Sequence, residues 1–296
     1  MVDVPATYLS RRRIFLTSGV ALAGAASATR ILPTHVLAQD ETAGHLQRVL
    51  DRGHVIVGTG SATPPWHFDD EDGQLTGMDI EMGYILANAL FGDPEKVEFV
   101  VQSSDTRIPN LLTDKVDIVI QFMSVTAERA QQVDFSIPYY REALTVLLLK
   151  DSPYNTLEDM QGKGITVAAL QNPHIEDVAH NGIPDATVDQ YDSVANTFLA
   201  LDAGRVDAAL ADFSTAQWMT AQNPDKYKYA AGTWDTHNYA TAVAPGDERW
   251  LDFVNQVWLD AMTGFQFAAF HDAFLKYFGI DLQKPPAGAP LVLSAQ

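Results

Sequence analysis

Arg129 is the first residue whose position suggests chemistry. It lies in the segment QFMSVTAERAQQVDFSIPYY (121–140), where an apolar run ends and a polar helix is predicted to begin. Thr126 is the predicted N-cap, which places Arg129 in the first helical turn, where the macrodipole disfavours a cation and favours an anion. An incoming carboxylate would find backbone N–H groups and a guanidinium that can bind two oxygens. The alternative is a solvated arginine that pairs with Glu128 or Asp134.

Asp212 could bind the opposite charge. It ends VDAALAD (206–212), a strand of alanine and leucine in which an acid has no packing role. At the lip of a cleft its carboxylate could hold a cationic amine, and the alternative is that it caps the following helix. Together Arg129 and Asp212 would bind the two ends of one zwitterion.

A third element is the loop GTGSATPPWHFDD (58–70). Its Pro-rich turn presents Thr63, Trp66 and Phe68 just after a predicted strand. Exposed aromatic rings on a loop often cover the apolar or cationic part of a small ligand. Packing of Trp66 beneath the loop is the alternative.

Short aliphatic runs alternate with amphipathic segments along most of the chain. This pattern indicates an α/β fold whose strands are covered on both faces. We predict strands at 54–60, 96–102, 116–122, 143–150, 164–170, 206–212 and 238–245. Helices are predicted at 79–90, 106–114, 193–204 and 250–279. The tail 283–296 is punctuated by Pro and Gly and is predicted to be a loose strap or disordered.

One internal repeat indicates two lobes of similar construction. LLTDKVDIVIQF and LALDAGRVDAALAD share the pattern L-x-x-x-[KR]-V-D-x-x-[IL], which aligns Asp117 with Asp207 and Phe122 with Asp212. Each copy is predicted to be a helix end, a turn and a buried strand. Because ligands of open α/β sheets bind beyond the carboxyl ends of strands, two facing lobes would place residues 122–129 opposite Asp212. Chance similarity of two helix–strand units is the alternative.

The N-terminus has the features of a targeting segment. Residues 11–16 read RRRIFL, an apolar stretch rich in small residues follows, and Ala38 offers a small-residue cleavage site. The paired arginines resemble a twin-arginine signal, with an ordinary secretory signal as the alternative. We therefore expect a signal peptide over 1–38 and a mature protein in the periplasm.

The composition limits the possible functions. The 296-residue chain has a formal net charge of −19, which disfavours nucleic acid and anionic headgroups as partners. It has no cysteine, so we expect no disulfide and no lipid-modified cysteine as a membrane anchor. The histidines show no metal-ligand spacing, G-x-S-x-G is missing, and Gly58 and Gly60 lack the third glycine of a dinucleotide fingerprint. Neither a metal nor a cofactor is expected.

Six blocks together resemble the family 3 extracellular solute-binding proteins, the amino-acid receptors of ABC importers. The blocks are GTGSATPPWHF, GQLTGMDIEMGYILANAL, TRIPNLLTDKVDIVI, MSVTAERAQQVDFSIPYY, GRVDAALAD and FHDAFLKYFG, between about residues 50 and 281. The resemblance implies a two-lobed periplasmic binding protein type II fold with the ligand cleft between the lobes. The implied crossing hinge strands are 143–150 and 238–245, with lobe 1 at about 43–146 plus 240–290 and lobe 2 at about 147–239.

The resemblance also implies roles for individual residues. Arg129 would bind the α-carboxylate of an amino acid or a related zwitterion, helped by the backbone and hydroxyl of Ser124. Asp212 would bind the α-amino group, and Trp66 would line the pocket. A ligand that bridges Arg129 and Asp212 would close the cleft, and the closed form would be recognised by the permease subunits of the importer.

The sequence departs from the family pattern in the walls of the predicted pocket. Thr63 stands where many relatives have an aromatic ring, Phe122 where many have glycine, and Leu170-Gln171 where many have Gly-Ser or Gly-Thr. Arg107 could reach an acidic ligand side chain, with a packing role as the alternative. These departures leave the identity of the ligand open, including a modified amino acid or a betaine-like compound.

Two other functions are compatible with the architecture. The same two-lobed architecture is used by an enzyme class resembling cyclohexadienyl (prephenate/arogenate) dehydratases, in which catalysis would need a general acid in the cleft; His174 and Glu176 are the candidates. A sensor domain would need a membrane-spanning segment and an output domain, and the sequence contains neither. We therefore expect a monomeric binding protein rather than an enzyme.

Overall fold

The computed structural model describes residues 44–171 and 174–288, so the predicted signal peptide and the end of the predicted tail lie outside the described residues. Within these residues the chain forms two α/β lobes, each built on one main sheet. No helix of the described part is both long enough and apolar enough to cross a membrane.

The first lobe contains a five-stranded mixed sheet. In spatial order its strands are β5 (Val97–Val101), β1 (Val55–Thr59), β6 (Ile118–Val119), β14 (Ala242–Val243) and β7 (Asp134–Phe135). A small sheet of β2 (Ala62–Thr63), β3 (His67–Asp69) and β4 (Leu75–Thr76) follows β1. The helices are α1 (His45–Arg52), α2 (Met78–Phe91), α3 (Arg107–Leu112), α8 (Glu248–Thr263) and α9 (Phe267–Phe278). Ile118 and Val119 of β6 belong to separate apolar clusters, so both faces of this sheet are covered.

The second lobe contains a six-stranded sheet. Its order is β10 (Thr187–Tyr191), β9 (Thr166–Leu170), β11 (Ala208–Asp212), β8 (Tyr140–Leu149) and β12 (Tyr227–Tyr229), with β13 (Trp234–Tyr239) also paired to β8. The helices are α4 (Leu157–Met160), α5 (Ile175–Gly182), α6 (Val194–Asp202) and α7 (Phe213–Gln222). Val146 and Leu148 of β8 pack on one face, whereas Leu147 packs on the other. This alternation explains why the strand sequences are continuously apolar.

The two sheets are connected by β8 and β13. These strands run antiparallel, and Tyr239 pairs with Tyr140 where both strands reach the first lobe. Beyond that point the Ser136 N–H donates to the Thr241 carbonyl at 2.9 Å. The strands predicted as crossing strands at 143–150 and 238–245 therefore correspond to β8 and to the end of β13 with β14.

Most predicted elements are confirmed, and the differences have local causes. The strands predicted at 54–60, 96–102, 164–170 and 206–212 and the helices predicted at 79–90, 106–114 and 193–204 are present. The predicted strand 116–122 is paired only at Ile118–Val119. The predicted helix 250–279 divides at Gly264, because the Asp260 carboxylate accepts from the Phe265 and Gln266 N–H groups at 2.9 and 3.1 Å and so ends one helix.

The internal repeat extends to the hydrogen bonds. The Asp117 N–H donates to the Ile56 carbonyl and the Asp207 N–H to the Thr166 carbonyl, both at 2.8 Å. In each copy the aspartate side chain also accepts a hydrogen bond from the residue to which its own N–H donates. The Ile56 N–H donates to the Asp117 carboxylate at 2.6 Å, and the Thr166 N–H donates to the Asp207 carboxylate at 2.8 Å. The preceding turn is left-handed in both copies, with φ of 54° at Asp114 and 63° at Gly204. The repeated aspartate therefore fixes the register between adjacent strands in both lobes.

Asp117 and Asp207 should nevertheless contribute unequally to the free energy of unfolding. Asp117 is buried and also accepts from His45, at 2.9 Å, and from Arg52, whereas Asp207 is exposed. Burial opposes ionisation of Asp117, but its hydrogen bonds and the charge of Arg52 lower its pKa overall. We expect Asp117→Asn to lower the free energy of unfolding at neutral pH by about 1.5 kcal/mol, and Asp207→Asn by about 0.5 kcal/mol.

Urea denaturation of the two variants checks this expectation. Because the pKa of folded Asp117 is lowered, its stabilisation is present above the unfolded pKa and is lost as the pH falls through the folded pKa. The difference between wild type and Asp117→Asn should accordingly shrink in acid. Equal losses in both variants would contradict the proposed difference.

Candidate ligand-binding cleft between the lobes

A cavity of about 490 Å³ lies between the two lobes. Thr63 and Phe122 reach it from the first lobe, and Leu170 and Asp212 reach it from the second. Its lining residues are Thr63, Phe122, Ser124, Thr126, Leu144, Leu170, Ile175, Val178, Val194, Leu210, Ala211, Asp212, Thr215, Asp235, Thr236 and His237. Half of the sixteen lining residues are apolar and half are polar, so the wall offers both apolar surface and hydrogen-bonding groups to a small molecule.

Asp212 lies in the cavity wall at the carboxyl end of β11. It occupies the N-cap position of α7, but its side chain makes no capping hydrogen bond. The alternative prediction, that its side chain caps the helix, is therefore wrong. Burial raises the pKa of Asp212, while the Tyr239 hydroxyl and the charge of His237 oppose that rise. Asp212 is half-buried, and a partly desolvated carboxylate without a full counter-charge is well suited to a cationic ligand group.

Arg129 lies directly behind the cavity wall rather than in it. Its Nη1 donates to the carbonyl of Ser124, a lining residue, at 2.9 Å, and its side chain is half-buried. Burial lowers the pKa of Arg129, against the opposing charge of Glu128. The guanidinium is therefore partly desolvated beside the cavity, on the opposite lobe from Asp212.

The α-helix predicted after Thr126 is wrong. Residues Arg129–Gln131 form one 3-10 turn. Thr126 does act at its start, because its Oγ1 accepts from the Arg129 N–H at 3.2 Å. A turn of three residues has little macrodipole, so the unfavourable helix-end position proposed for Arg129 does not exist. Its partial burial beside Ser124 is the feature that remains.

Phe122 lines the cavity with a strained backbone. Its φ is 35°, in a region that residues other than glycine rarely adopt. Its ring centroid lies 4.9 Å from that of His67 and 5.8 Å from that of Tyr239. The surrounding rings therefore hold a large side chain at the position where the family pattern has glycine, and this side chain narrows the cleft.

Arg107 is buried and does not line the cavity. Its Nε donates to the Ser104 carbonyl at 2.8 Å and its Nη1 to the Gln121 carbonyl at 3.1 Å. Burial, followed by the charge of Arg129, lowers its pKa to about 10. Both guanidiniums thus lie on the same side of the cleft, but the hydrogen bonds of Arg107 favour the structural alternative for it.

The prediction that Trp66 lines the pocket is wrong for this structure. Its side chain is fully buried, and its ring packs against Tyr140 and Phe278 with centroids 4.9 and 5.0 Å away. Its indole N–H donates to the Ser214 hydroxyl on α7 at 2.9 Å. Trp66 therefore joins the two lobes from beneath the cleft, as the packing alternative held.

Gln171 lies in a second cavity of about 590 Å³ that adjoins the first. Thr63, Phe122, Leu170 and Val194 line both cavities, so the two cavities meet at these residues. The other lining residues of the second cavity are Gly60, Ser61, Ala62, His67, Val101, Gln102, Ser103, Ser104, Asp105, Gln121, Gln171, Asp192, Ser193 and Ala195. The two cavities together therefore have room for a longer ligand than the first cavity could hold alone.

Sequence reasoning missed several polar residues at the cleft. Thr215 lines the first cavity, is 2% exposed, and its hydroxyl has no hydrogen-bond partner within the described residues. Asp235 and His237 also line the cavity, in a polar run without any distinctive signal. Glu142 lies near the start of β8, next to a run of apolar residues. An acidic residue beside such a run is the kind of sequence feature that identified Asp212, so Glu142 could have been found in the same way.

The other candidates lie outside the cavity. His174 and Glu176 are exposed and are not lining residues, whereas Ile175 and Val178 of the same segment face the cavity. In the part of the chain that the structure describes, no group of three His, Asp or Glu could hold a metal ion.

The sequence is similar to a family of known proteins over most of its length. A model of the bacterial extracellular solute-binding proteins, family 3, matches residues 55–277. The glutamine-binding protein of Geobacillus stearothermophilus is 31% identical over 206 residues, which cover 67% of this chain and 76% of that protein. ABC transporter arginine-binding protein 1 of Escherichia coli (strain K12) is 28% identical over 207 residues, covering 68% of this chain and 82% of that protein.

A solved structure extends the likeness to three dimensions. The ancestral amino acid-binding protein AncCDT-1, described as a precursor of cyclohexadienyl dehydratase, is 31% identical and superposes with a TM-score of 0.68. The match covers 80% of this chain and all of that one. The family match spans both sheets and the cleft between them, and the chain therefore belongs to the bacterial extracellular solute-binding proteins, family 3.

Proposed function

We propose that this protein captures an amino acid or a related zwitterion by cleft closure and delivers it to an ABC importer. The interlobe cavity carries the proposal, because Asp212 lies in its wall on one lobe and Arg129 lies behind Ser124 on the other. The names of the relatives, which bind glutamine and arginine, support an amino-acid ligand.

The two charges assign an orientation to the ligand. Its ammonium group would lie against the Asp212 carboxylate, and its carboxylate would lie near Ser124 within reach of the Arg129 guanidinium. Charge-assisted contacts of this kind are strong where water is excluded. The Thr215 hydroxyl would gain a ligand partner, which would remove the cost of a buried and unsatisfied polar group.

The remaining charges of the cleft favour a neutral or cationic ligand side chain. Among the lining residues of the two cavities there are four acids and neither lysine nor arginine; the acids are Asp105, Asp192, Asp212 and Asp235. An acidic side chain extending past Phe122 would approach Asp105 and Asp192 without a compensating cation. The ligands named for the two relatives, glutamine and arginine, fit this preference.

Closure of the cleft depends on contacts between the lobes. Trp66 of the first lobe donates to Ser214 of the second at 2.9 Å, and the rings of Phe68 and Trp218 lie 5.3 Å apart. Opening would break these contacts and admit water to Asp212. A ligand bound to both lobes would favour the closed form by hinge motion.

The cellular setting follows the family and the N-terminal sequence. Members of the family are extracellular by description, and this chain's paired arginines support twin-arginine export with cleavage after Ala38. The mature protein would act in the periplasm as a monomer that docks on the permease subunits of its importer. We place lobe 1 at about 43–146 plus 240–290 and lobe 2 at about 147–239.

A thermal-shift screen followed by calorimetry tests the proposal. The panel should contain the common L-amino acids, octopine-like derivatives, betaine and sugars. We expect at least one neutral or cationic amino acid to raise Tm, because a ligand bound only to the folded protein stabilises it by mass action. Glutamate and aspartate should bind more weakly than glutamine and asparagine. Stabilisation by sugars alone would contradict the proposal.

Cyclohexadienyl dehydratase activity can be tested directly, and the similarity to AncCDT-1 is the reason to do so. We propose that this chain is a binding protein without that activity, since His174 and Glu176, the candidate acids, are exposed and face away from the cavity lining. Incubation with prephenate or arogenate should give no product. Product formation that is lost in Glu176→Gln would establish the enzyme instead.

A further inference from the structure

The carboxyl group of Glu142 is buried in the second lobe. It is 1% exposed on β8, and its Oε1 accepts from the Ala143 N–H at 2.9 Å and the Ser214 N–H at 3.3 Å. The Ser214 hydroxyl contacts its Oε2. Within residues 44–171 and 174–288, no lysine, arginine or histidine forms an ion pair with it. The hydrogen bonds that this carboxyl group accepts therefore come from neutral donors.

A second carboxyl group, half-buried in the cavity wall, lies beside it. Asp212 is on β11, which pairs with β8, and it lies opposite Leu144, two residues along β8 from Glu142. Burial, followed by the negative charge of Asp212, raises the pKa of Glu142 to about 8, against the hydrogen bonds from Ser214. Glu142 is buried and Asp212 is half-buried, and two neighbouring carboxyl groups with so little water around them resist simultaneous ionisation.

The other groups that face this pair come from every adjoining element. They are Tyr140 on the same strand, His237 and Tyr239 on β13, and Arg107 at longer range. Burial raises the pKa values of Tyr140 and Tyr239, so both phenols stay neutral near pH 7.

We propose that Glu142 is a positioning residue that couples ligand capture to proton release. This inference rests on the proposed function, because it requires an ammonium group to bind at Asp212. The arriving positive charge offsets the negative charge of Asp212, and Glu142 then ionises. One O–H bond of the Glu142 carboxyl group breaks, and its proton passes to solvent. The pair thereby changes from one negative charge to two as one positive charge enters.

Ionised Glu142 would also strengthen the closed conformation. The Ser214 hydroxyl accepts from the Trp66 indole N–H of the first lobe, and it can donate its own proton to Glu142. A hydroxyl that donates to a carboxylate forms a stronger bond than one that donates to a neutral carboxyl group. Two hydrogen bonds therefore connect Trp66 through Ser214 to Glu142. Through them, binding of the ligand ammonium group at Asp212 would strengthen the contact between the lobes.

The inference predicts a specific dependence of affinity on pH. Below the raised pKa of Glu142 the ligand-free protein holds a proton that the complex releases, so affinity increases as the pH rises and becomes level above about pH 8. One released proton allows at most about tenfold per pH unit. We expect at least about a fivefold gain between about pH 6.5 and pH 8.

Calorimetry in buffers of different ionisation enthalpy measures the released proton. The probe is the tightest-binding neutral L-amino acid of the thermal-shift panel. Wild type should release close to one proton per bound molecule near pH 7, and Glu142→Gln, which mimics the neutral carboxyl group, should release none and bind with little pH dependence. The control is Glu158→Gln, at an exposed glutamate of α4 that lines neither cavity, and it should keep the proton release. Release that persists in Glu142→Gln, or that disappears in Glu158→Gln, would overturn the inference.

A ligand-free measurement tests the titration of Glu142 separately from the proposed function. Carboxyl ¹³C NMR of glutamate-labelled protein should show one glutamate that titrates near pH 8 and is missing from Glu142→Gln. In Asp212→Asn the same titration should move to lower pH, because the neighbouring charge is gone. A Glu142 midpoint in the ordinary range would overturn the inference even if an amino acid binds. Failure of every panel member to bind would instead overturn the proposed function.

Discussion

Asp212→Asn should weaken binding of an amino acid more than a hundredfold, with little loss of folding stability. The substitution keeps the shape of the side chain but removes the charge that would face the ligand ammonium group. Removing one partner of a desolvated charge pair costs about 3 kcal/mol, which corresponds to a factor above one hundred in Kd. Calorimetric titration of the variant with the best ligand of the panel measures this loss.

Stability and binding should separate in this variant. Burial raises the pKa of Asp212, so between its unfolded and folded pKa values the folded protein binds more protons than the unfolded chain. The free energy of unfolding of the wild type therefore falls as the pH rises through that interval. Asparagine does not ionise, so Asp212→Asn should lack this loss of stability. Ligand-free Asp212→Asn should unfold at the same or a higher urea concentration than wild type at pH 7.

The matched control is Asp192→Asn. Asp192 is an exposed acid that lines the second cavity and has no assigned contact with the ammonium group. Its substitution should change the affinity for a neutral amino acid less than threefold. A loss below fivefold in Asp212→Asn, or equal losses in the two variants, would contradict the assignment of the ammonium site.

Arg129→Ala should weaken binding at least about thirtyfold. The partly desolvated guanidinium beside Ser124 is the positive group that the proposal assigns to the ligand carboxylate, and its loss costs at least about 2 kcal/mol. Arg129→Lys retains the charge but not the planar pair of donors, so we expect an intermediate loss of about tenfold. Exposed Arg249→Ala is the control and should bind as wild type does.

An amidated ligand shows whether the effect concerns the carboxylate. An amino-acid amide lacks the negative charge that Arg129 would bind, so it should bind wild type weakly and lose little more in Arg129→Ala. A double-mutant cycle over protein and ligand isolates this coupling. If Arg129→Ala weakened the acid and the amide equally, Arg129 would be supporting Ser124 rather than binding a carboxylate.

The buried parts of the fold were predictable because their sequence signal is strong. Continuous aliphatic runs identified the central strands, since both faces of each sheet are covered. The repeat of Asp117 and Asp207 identified two similar units because each aspartate fixes the register between adjacent strands. The break at Gly264 was less visible, because the apolar pattern continues on both sides while Asp260 ends the helix locally.

The site was harder to predict where a local pattern fits two structures. Thr126 can begin either an α-helix or a single 3-10 turn, and only the packing of the following residues decides between them. Trp66 follows two prolines in a loop, a context that suits an exposed ring as well as a buried one. Its contact with Ser214 joins residues 148 positions apart, so no local signal could have shown it.

The crystal structure of the protein with its best amino-acid ligand tests the central claim most directly. We expect the ligand in the cavity between the lobes, with its ammonium group within hydrogen-bond distance of Asp212 and its carboxylate in contact with Arg129 or with Ser124 beside it. A ligand enclosed by both lobes that touches neither the guanidinium of Arg129 nor the carboxylate of Asp212 would contradict the account.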